Sequence, residues 1–226
     1  MKSLFILAVL ILSCVFVYAG EKVVFAFEAY SPYEYVENGV AKGPDVEAIR
    51  EACKKSGIDP EFKEMPWAQA LLQVEKGTVD AIFSLFKNAE REAFLYFPTK
   101  KLSSETNVII VKKGSTKKAT KIADMSGWLV GVTKEYSYGD VFDSSNVFKR
   151  DEALDGDILL KKLEAGRMDA AIINELVWQT LEKKLGLTGK FEKLFTVSSE
   201  PMYVGFSKAK GDKAKKWAAD FSANLK

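Results

Sequence analysis

The sequence predicts an α/β protein built from two related halves, and a repeated passage is the main reason. Leu71–Phe83 and Leu160–Ile172 carry nearly the same text: leucines at helical spacing, then Glu75-Lys76-Gly77 or Glu164-Ala165-Gly166, then Asp80-Ala81 or Asp169-Ala170 opening an apolar run. Each copy reads as a helix, a glycine that supplies a left-handed C-terminal stop, and a strand buried in a sheet. The second observation is a pair of apolar runs, Asn107–Val111 and Met202–Phe206, placed to carry the chain into a second half and back. Small-molecule sites form preferentially between domains, so two halves imply a cleft. One doubly wound domain containing two ordinary αβ units is the alternative that the repeat alone leaves open.

The elements follow in order. Met1-Lys2-Ser3, the apolar stretch Leu4–Val17 and the small residues ending at Ala19-Gly20 have the three regions of a secretory signal peptide, so residues 1–19 are expected to be removed and the protein exported to a periplasmic or extracellular space. Ile11-Leu12-Ser13-Cys14 resembles a lipidation signal, and a lipid anchor through Cys14 is the alternative. Lys22–Phe27 reads as a buried strand, followed by an aromatic-rich loop, Tyr30–Tyr35, at its carboxyl end, where open α/β sheets bind ligands. A helix is expected from Pro44, favoured in a first turn, to about Lys55, stopping near Gly57. Glu61–Met65 is a second strand leading through Pro66-Trp67 into the first repeat copy, and Lys213–Leu225 spaces Trp217, Phe221 and Leu225 as an amphipathic docking helix.

Composition removes several function classes. The chain has no histidine, which excludes Ser-His-Asp and Cys-His catalysis, His-ligated zinc and the usual near-neutral proton shuttle. Loss of Cys14 with the signal leaves Cys53 alone, so neither an intramolecular disulfide nor a thiolate metal site can form. Cys53 shares a helical stripe with Val46, Ile49 and Ala52 and reads as a buried structural thiol. With 33 basic and 31 acidic residues the chain presents no global field for nucleic acid, and the basic run Lys112–Lys121 reads as a solvated loop. No phosphate-binding glycine loop is present, and neither a metal nor a cofactor is expected.

Three stretches together resemble the family 3 extracellular solute-binding proteins, the type II periplasmic binding proteins that serve amino-acid ABC importers. They are Tyr30-Ser31-Pro32-Tyr33 with Gly43-Pro44-Asp45; Pro66-Trp67 through Ser84 and Glu90-Arg91-Glu92 to Tyr96-Phe97; and Gly131–Gly139 with Gly166–Asp169 and Asn174-Glu175. The resemblance covers essentially the whole mature chain. It implies two α/β lobes joined by two hinge strands, residues 20–105 with 204–226 forming lobe 1 and residues 106–203 forming lobe 2, closing on a ligand. It implies a monomeric receptor that performs no chemistry and delivers a small molecule to a membrane permease. Arg91 matches the arginine that grips a ligand carboxylate, a task suited to a planar guanidinium fork. Ser84 and, from the second lobe, Ser137 match hydroxyls that bond the ligand. Tyr30 and Trp67 match aromatic residues that flank it.

Two departures from the pattern stand out. Asn174 replaces the aspartate that holds the ligand ammonium, and Phe86 occupies a second serine position. An amide cannot replace a buried carboxylate as charge partner, so the α-amino grip is in doubt. Glu175 could stand in, although at a helix start it also serves as a capping charge. Two other readings remain: a dehydratase on the same fold acting on a cyclic acid with carboxylates as acid and base, and a sensory ligand-binding module.

Overall fold

The computed structural model describes residues 20–225; the proposed signal peptide and Cys14 lie outside the described residues. The first lobe begins with strand β1 (Glu21–Phe27), a short hairpin of β2 (Tyr35–Glu37) and β3 (Val40–Lys42), and helix α1 (Pro44–Ser56). It continues with β4 (Ile58–Glu64), α2 (Trp67–Glu75), β5 (Ala81–Leu85), α3 (Ala89–Phe94) and β6 (Leu95–Tyr96). Strand β7 (Ser103–Lys112) crosses to the second lobe, which holds β8 (Leu129–Thr133), α4 (Asp140–Asp143), β9 (Lys149–Ala153), α5 (Gly156–Glu164), β10 (Ala170–Asn174) and α6 (Glu175–Lys184). The 17-residue β11 (Phe191–Ser207) returns to the first lobe, where α7 (Asp212–Asn224) closes the chain.

Strand order answers the question left open by the repeat. The sheet path runs β4-β1-β5-β11-β7-β10-β8-β9, with β6 alongside β11. β4, β1 and β5 are parallel, as are β9, β8 and β10, and the antiparallel pair β11 and β7 separates the two sets. The repeat copies are therefore the third strand of each set and the helix before it, in two lobes rather than one doubly wound sheet. β11 pairs with β7 up to Met202 and with β5 from Tyr203, so a single strand belongs to both lobes.

The aspartate common to both copies has one job in each. The Asp80 carboxylate accepts the Val24 backbone N–H at 2.8 Å, and the Asp169 carboxylate accepts the Leu129 N–H at the same distance. Their own N–H groups donate to Val24 and Leu129 carbonyls at 3.0 and 2.8 Å. Each aspartate thus staples the start of its strand to the first strand of its lobe, and each also pairs with a lysine, Lys210 or Lys117. Asp80→Ala is expected to cost about 1–3 kcal/mol by leaving a part-buried N–H unpaired, and more than Asp169→Ala, whose side chain is more exposed. Urea unfolding of both variants checks the order; equal stability to wild type would refute the staple.

Alternation fills both faces of each set. Val23, Phe25 and Phe27 point toward α1 and α7 and meet Phe206, Trp217 and Phe221, while Ala26 and Ile82 face α2. Trp217 and Phe221 of the docking helix are buried as their spacing predicts, and so is Leu225 just beyond it. Cys53 is fully buried in the same cluster, and desolvation pushes its thiol up to about 12, an inert structural thiol as expected.

Two segments differ from the sequence reading. β4 begins at Ile58 rather than Glu61, directly after the left-handed Gly57. The region after Tyr30 is more ordered than an irregular loop. Tyr30 N–H and Glu34 C=O are bonded at 2.8 Å, and Asn38-Gly39, both with positive φ, make the tight turn of the β2–β3 hairpin. Gly43, at φ +115, lies against this loop so closely that a Cβ would sit 2.2 Å from the Tyr33 carbonyl oxygen. Only glycine fits there, and the contact fixes Asp45 beneath the cleft.

Candidate functional site

The cleft lies where the carboxyl ends of β1 and β5 face the β8–α4 loop across the crossing strands. Five of the six expected residues, Tyr30, Trp67, Ser84, Arg91 and Ser137, line one cavity there, with Glu28, Glu34, Glu105 and Tyr136 among the others. The cavity is small, about 20 Å³, because the lobes are closed on one another. Tyr136 reaches into its wall from the second lobe. Its ring packs edge-on against Tyr30 and Trp67, with centroids 6.0 and 5.6 Å away, and its hydroxyl donates to Glu28 at 2.6 Å.

Arg91 is buried at 6% exposure in the short helix α3, which Asn88 caps by accepting the Arg91 backbone N–H. Its guanidinium donates to the Phe86 carbonyl at 3.0 Å and across the cleft to the Glu135 carbonyl at 3.3 Å. Trp67 Nε1 donates to that same Glu135 oxygen at 3.0 Å, and the Trp67 ring lies 5.6 Å from the guanidinium carbon. Glu135 reaches this position through a left-handed backbone, φ 62. A main-chain oxygen of lobe 2 therefore occupies donors of both Arg91 and Trp67, and the two lobes are latched by Arg91, Trp67 and Tyr136. Phe86, the departure from a serine pattern, contributes its backbone oxygen to Arg91.

The hydroxyls are engaged locally. Ser84, also left-handed at φ 60, donates to Asp45 at 2.9 Å, and Ser103 donates to the same carboxylate oxygen at 2.8 Å. Ser137 donates to Asp143 at 2.6 Å, and the Tyr138 N–H bonds that carboxylate as well, which pins the loop to α4. Both serine oxygens keep accepting capacity toward the cavity.

Asn174 is placed differently. It is 1% exposed and lines not that cavity but an adjoining one that shares Glu28, Tyr30 and Tyr136 with it; its Oδ1 caps α6 by accepting the Leu176 and Val177 N–H groups. Its Nδ2 donates to Tyr33 Oη and to Glu105 Oε2 at 3.4 and 3.3 Å. Glu175 pairs with Lys193 at 3.0 Å and sits in the first turn of α6, in keeping with a capping charge.

The group that sequence reasoning missed is acidic. Glu105 on β7 accepts from Asn107 at 2.9 Å and Tyr30 at 3.0 Å, besides Asn174. Desolvation raises the pKa of Glu28, Glu34, Asp45 and Glu105, with hydrogen bonds opposing it in each case. Tyr30 and Tyr136 are driven well above the ordinary phenol value by burial and by Glu105 and Glu28 respectively, so both remain neutral donors.

Two α/β lobes joined by two long strands, with a polar cleft walled by both, define a binding protein of the two-lobe periplasmic type. Solved structures share this fold: holo ArgBP from T. maritima (TM-score 0.75, 19% identity, covering 90% of this chain and 88% of that one) and a histidine kinase sensor domain with similarity to periplasmic binding proteins (TM-score 0.79, 19% identity, 92% and 90%). The chain belongs to the bacterial extracellular solute-binding proteins, family 3, whose pattern matches residues 23–194. It is similar to the L-cystine-binding protein TcyA of Bacillus subtilis (strain 168), at 25% identity over 185 residues, which are 80% of this chain and 67% of that protein. No helix among the described residues is long and apolar enough to cross a membrane.

Proposed function

We propose that this protein is an exported receptor that captures a small carboxylate-bearing solute, an amino acid or a related acid, between its lobes and delivers it to an ABC importer without chemical change. The observation that carries this reading is Arg91, a buried guanidinium whose cross-cleft partner is a neutral backbone carbonyl. A ligand carboxylate replaces that carbonyl with two charge-assisted bonds and so has a differential affinity for a state in which Glu135 has moved aside. The cystine-binding relative supports the amino-acid class. Titration calorimetry against amino acids and organic acids tests the proposal, with Kd in the micromolar range, about −8 kcal/mol, expected for a cognate solute. Absence of binding by every carboxylate solute would reject it, and turnover of a cyclic acid would favour the dehydratase reading instead.

A further inference from the structure

Two cavities meet at Tyr136. The one that holds Arg91 has a volume of about 20 Å³, which is room for a single water molecule. The other, of about 520 Å³, falls within the size range of small-molecule sites. Glu28, Tyr30 and Tyr136 line both, and they are the only described residues to do so. The Tyr136 side chain therefore belongs to the partition, tied by its hydroxyl to Glu28 at 2.6 Å and packed edge-on against the Tyr30 ring. A partition made by a side chain opens by a change of rotamer and leaves the sheets undisturbed.

The larger chamber is walled by both lobes, with Ala29 and Glu64 on one side and the α6 face on the other. Ile173 and Val177 are buried and, with Leu181, give it an apolar floor. Asp155 and Asp157 stand on its wall, but the first caps α5 through the Ile158 N–H and the second pairs with Lys184 at 3.0 Å. Glu28 and Glu64 supply further carboxylate oxygens that can accept from a ligand.

Resting on the receptor reading above, we infer that the two cavities form one site and that its ligand is a dipeptide, with the carboxylate on Arg91 and the N-terminal residue beyond Tyr136 in the larger chamber. A free amino acid held at Arg91 has room only when Tyr136 moves or the lobes part, and it leaves the apolar floor uncovered. A dipeptide uses both spaces: its N–H groups donate to the chamber carboxylates, and its first side chain packs on Ile173, Val177 and Leu181. Contacts with both chamber walls exist together only in the closed form, so they favour closure. Tyr136 is then a specificity-determining residue, displaced by a solute long enough to offset the lost Glu28 bond with contacts in the chamber.

Thermal-shift screening of the common amino acids against dipeptides built from them, followed by calorimetry on the best of each set, tests this. The best dipeptide is expected to bind about tenfold or more tightly than either constituent amino acid, a difference of about 1.4 kcal/mol. Thr180→Trp and Ala29→Trp put bulk into the chamber from opposite lobes at positions that are not buried. Each is expected to cut the dipeptide advantage to under about threefold, read as a ratio of Kd values. Tyr136→Phe keeps the ring but frees it from Glu28, and is expected to speed dipeptide association about threefold or more in stopped-flow fluorescence. Amino acids or organic acids that bind as tightly as the dipeptides would overturn the inference and leave the receptor reading standing. A dipeptide advantage that survives both tryptophan variants would overturn it too, and an unchanged association rate would remove Tyr136 as the gate. Failure of every carboxylate solute to bind removes both readings.

Discussion

Arg91→Ala is expected to weaken binding of the cognate solute by about 100-fold or more, since two charge-assisted bonds of about 1.5–3 kcal/mol each are lost. The loss is larger than for any serine in the cleft because Ser84 and Ser137 already have carboxylate partners and contribute only their residual accepting capacity. Arg91→Lys should recover little, because a lysine ammonium cannot form the planar fork or lie flat against Trp67. The unliganded protein changes too. Arg91 satisfies the buried Phe86 carbonyl and helps hold the Glu135 carbonyl across the cleft, so its removal costs about 1–3 kcal/mol of stability and loosens closure. Calorimetry measures the first effect, and thermal unfolding with small-angle scattering measures the second. A Kd within threefold of wild type would sink the clamp assignment even if stability falls as expected.

The legible part of this molecule was the part set by local pattern. Helix, glycine stop and buried strand repeated at 71–83 and 160–172 because each lobe needs the same third strand against its first. The docking helix and the Cys53 stripe were readable from spacing alone. The long β11 was less so: bulges between Lys193 and Phe195 and between Thr196 and Ser198 break its alternation, leaving only Met202–Phe206 as a recognisable strand. Asn38-Gly39 is a local hairpin signal, since an Asn-Gly pair readily takes the two positive φ values of a tight turn. At the candidate site, residues with distinctive chemistry, such as Arg91 and Trp67, stand out through their motifs, and both line the cavity. Glu105 was not, because it lies in the polar run Ser103-Ser104-Glu105-Thr106-Asn107, where sequence suggests solvent. Its burial comes from β11, β10 and the Tyr30 loop packing on β7, which no local window contains. Glu34 is hidden by the same cause, since polarity is written in the sequence and burial is not.

Those buried carboxylates should invert the usual pH dependence of stability in the ligand-free protein. Glu28, Glu34, Asp45 and Glu105 all have pKa values raised by desolvation, so each holds its proton more tightly folded than unfolded. Their contribution is full below the ordinary carboxylate range, near 4.5 for glutamate and 3.8 for aspartate, and is lost as pH rises through the raised folded values. Exposed Glu21, Glu61 and Asp124 have lowered pKa values and oppose this, but their contribution is lost only as pH falls below the ordinary values, outside the window concerned. The melting temperature of the ligand-free protein is therefore expected to be higher at pH 5.5 than at pH 8. Glu34→Gln should flatten the slope and add about 1 kcal/mol or more at pH 8, because it removes an uncompensated buried charge while keeping the side chain's shape. A melting temperature that rises from pH 5.5 to pH 8 in the ligand-free protein would show that these carboxylates are solvated or paired in solution, and the argument from burial would fail.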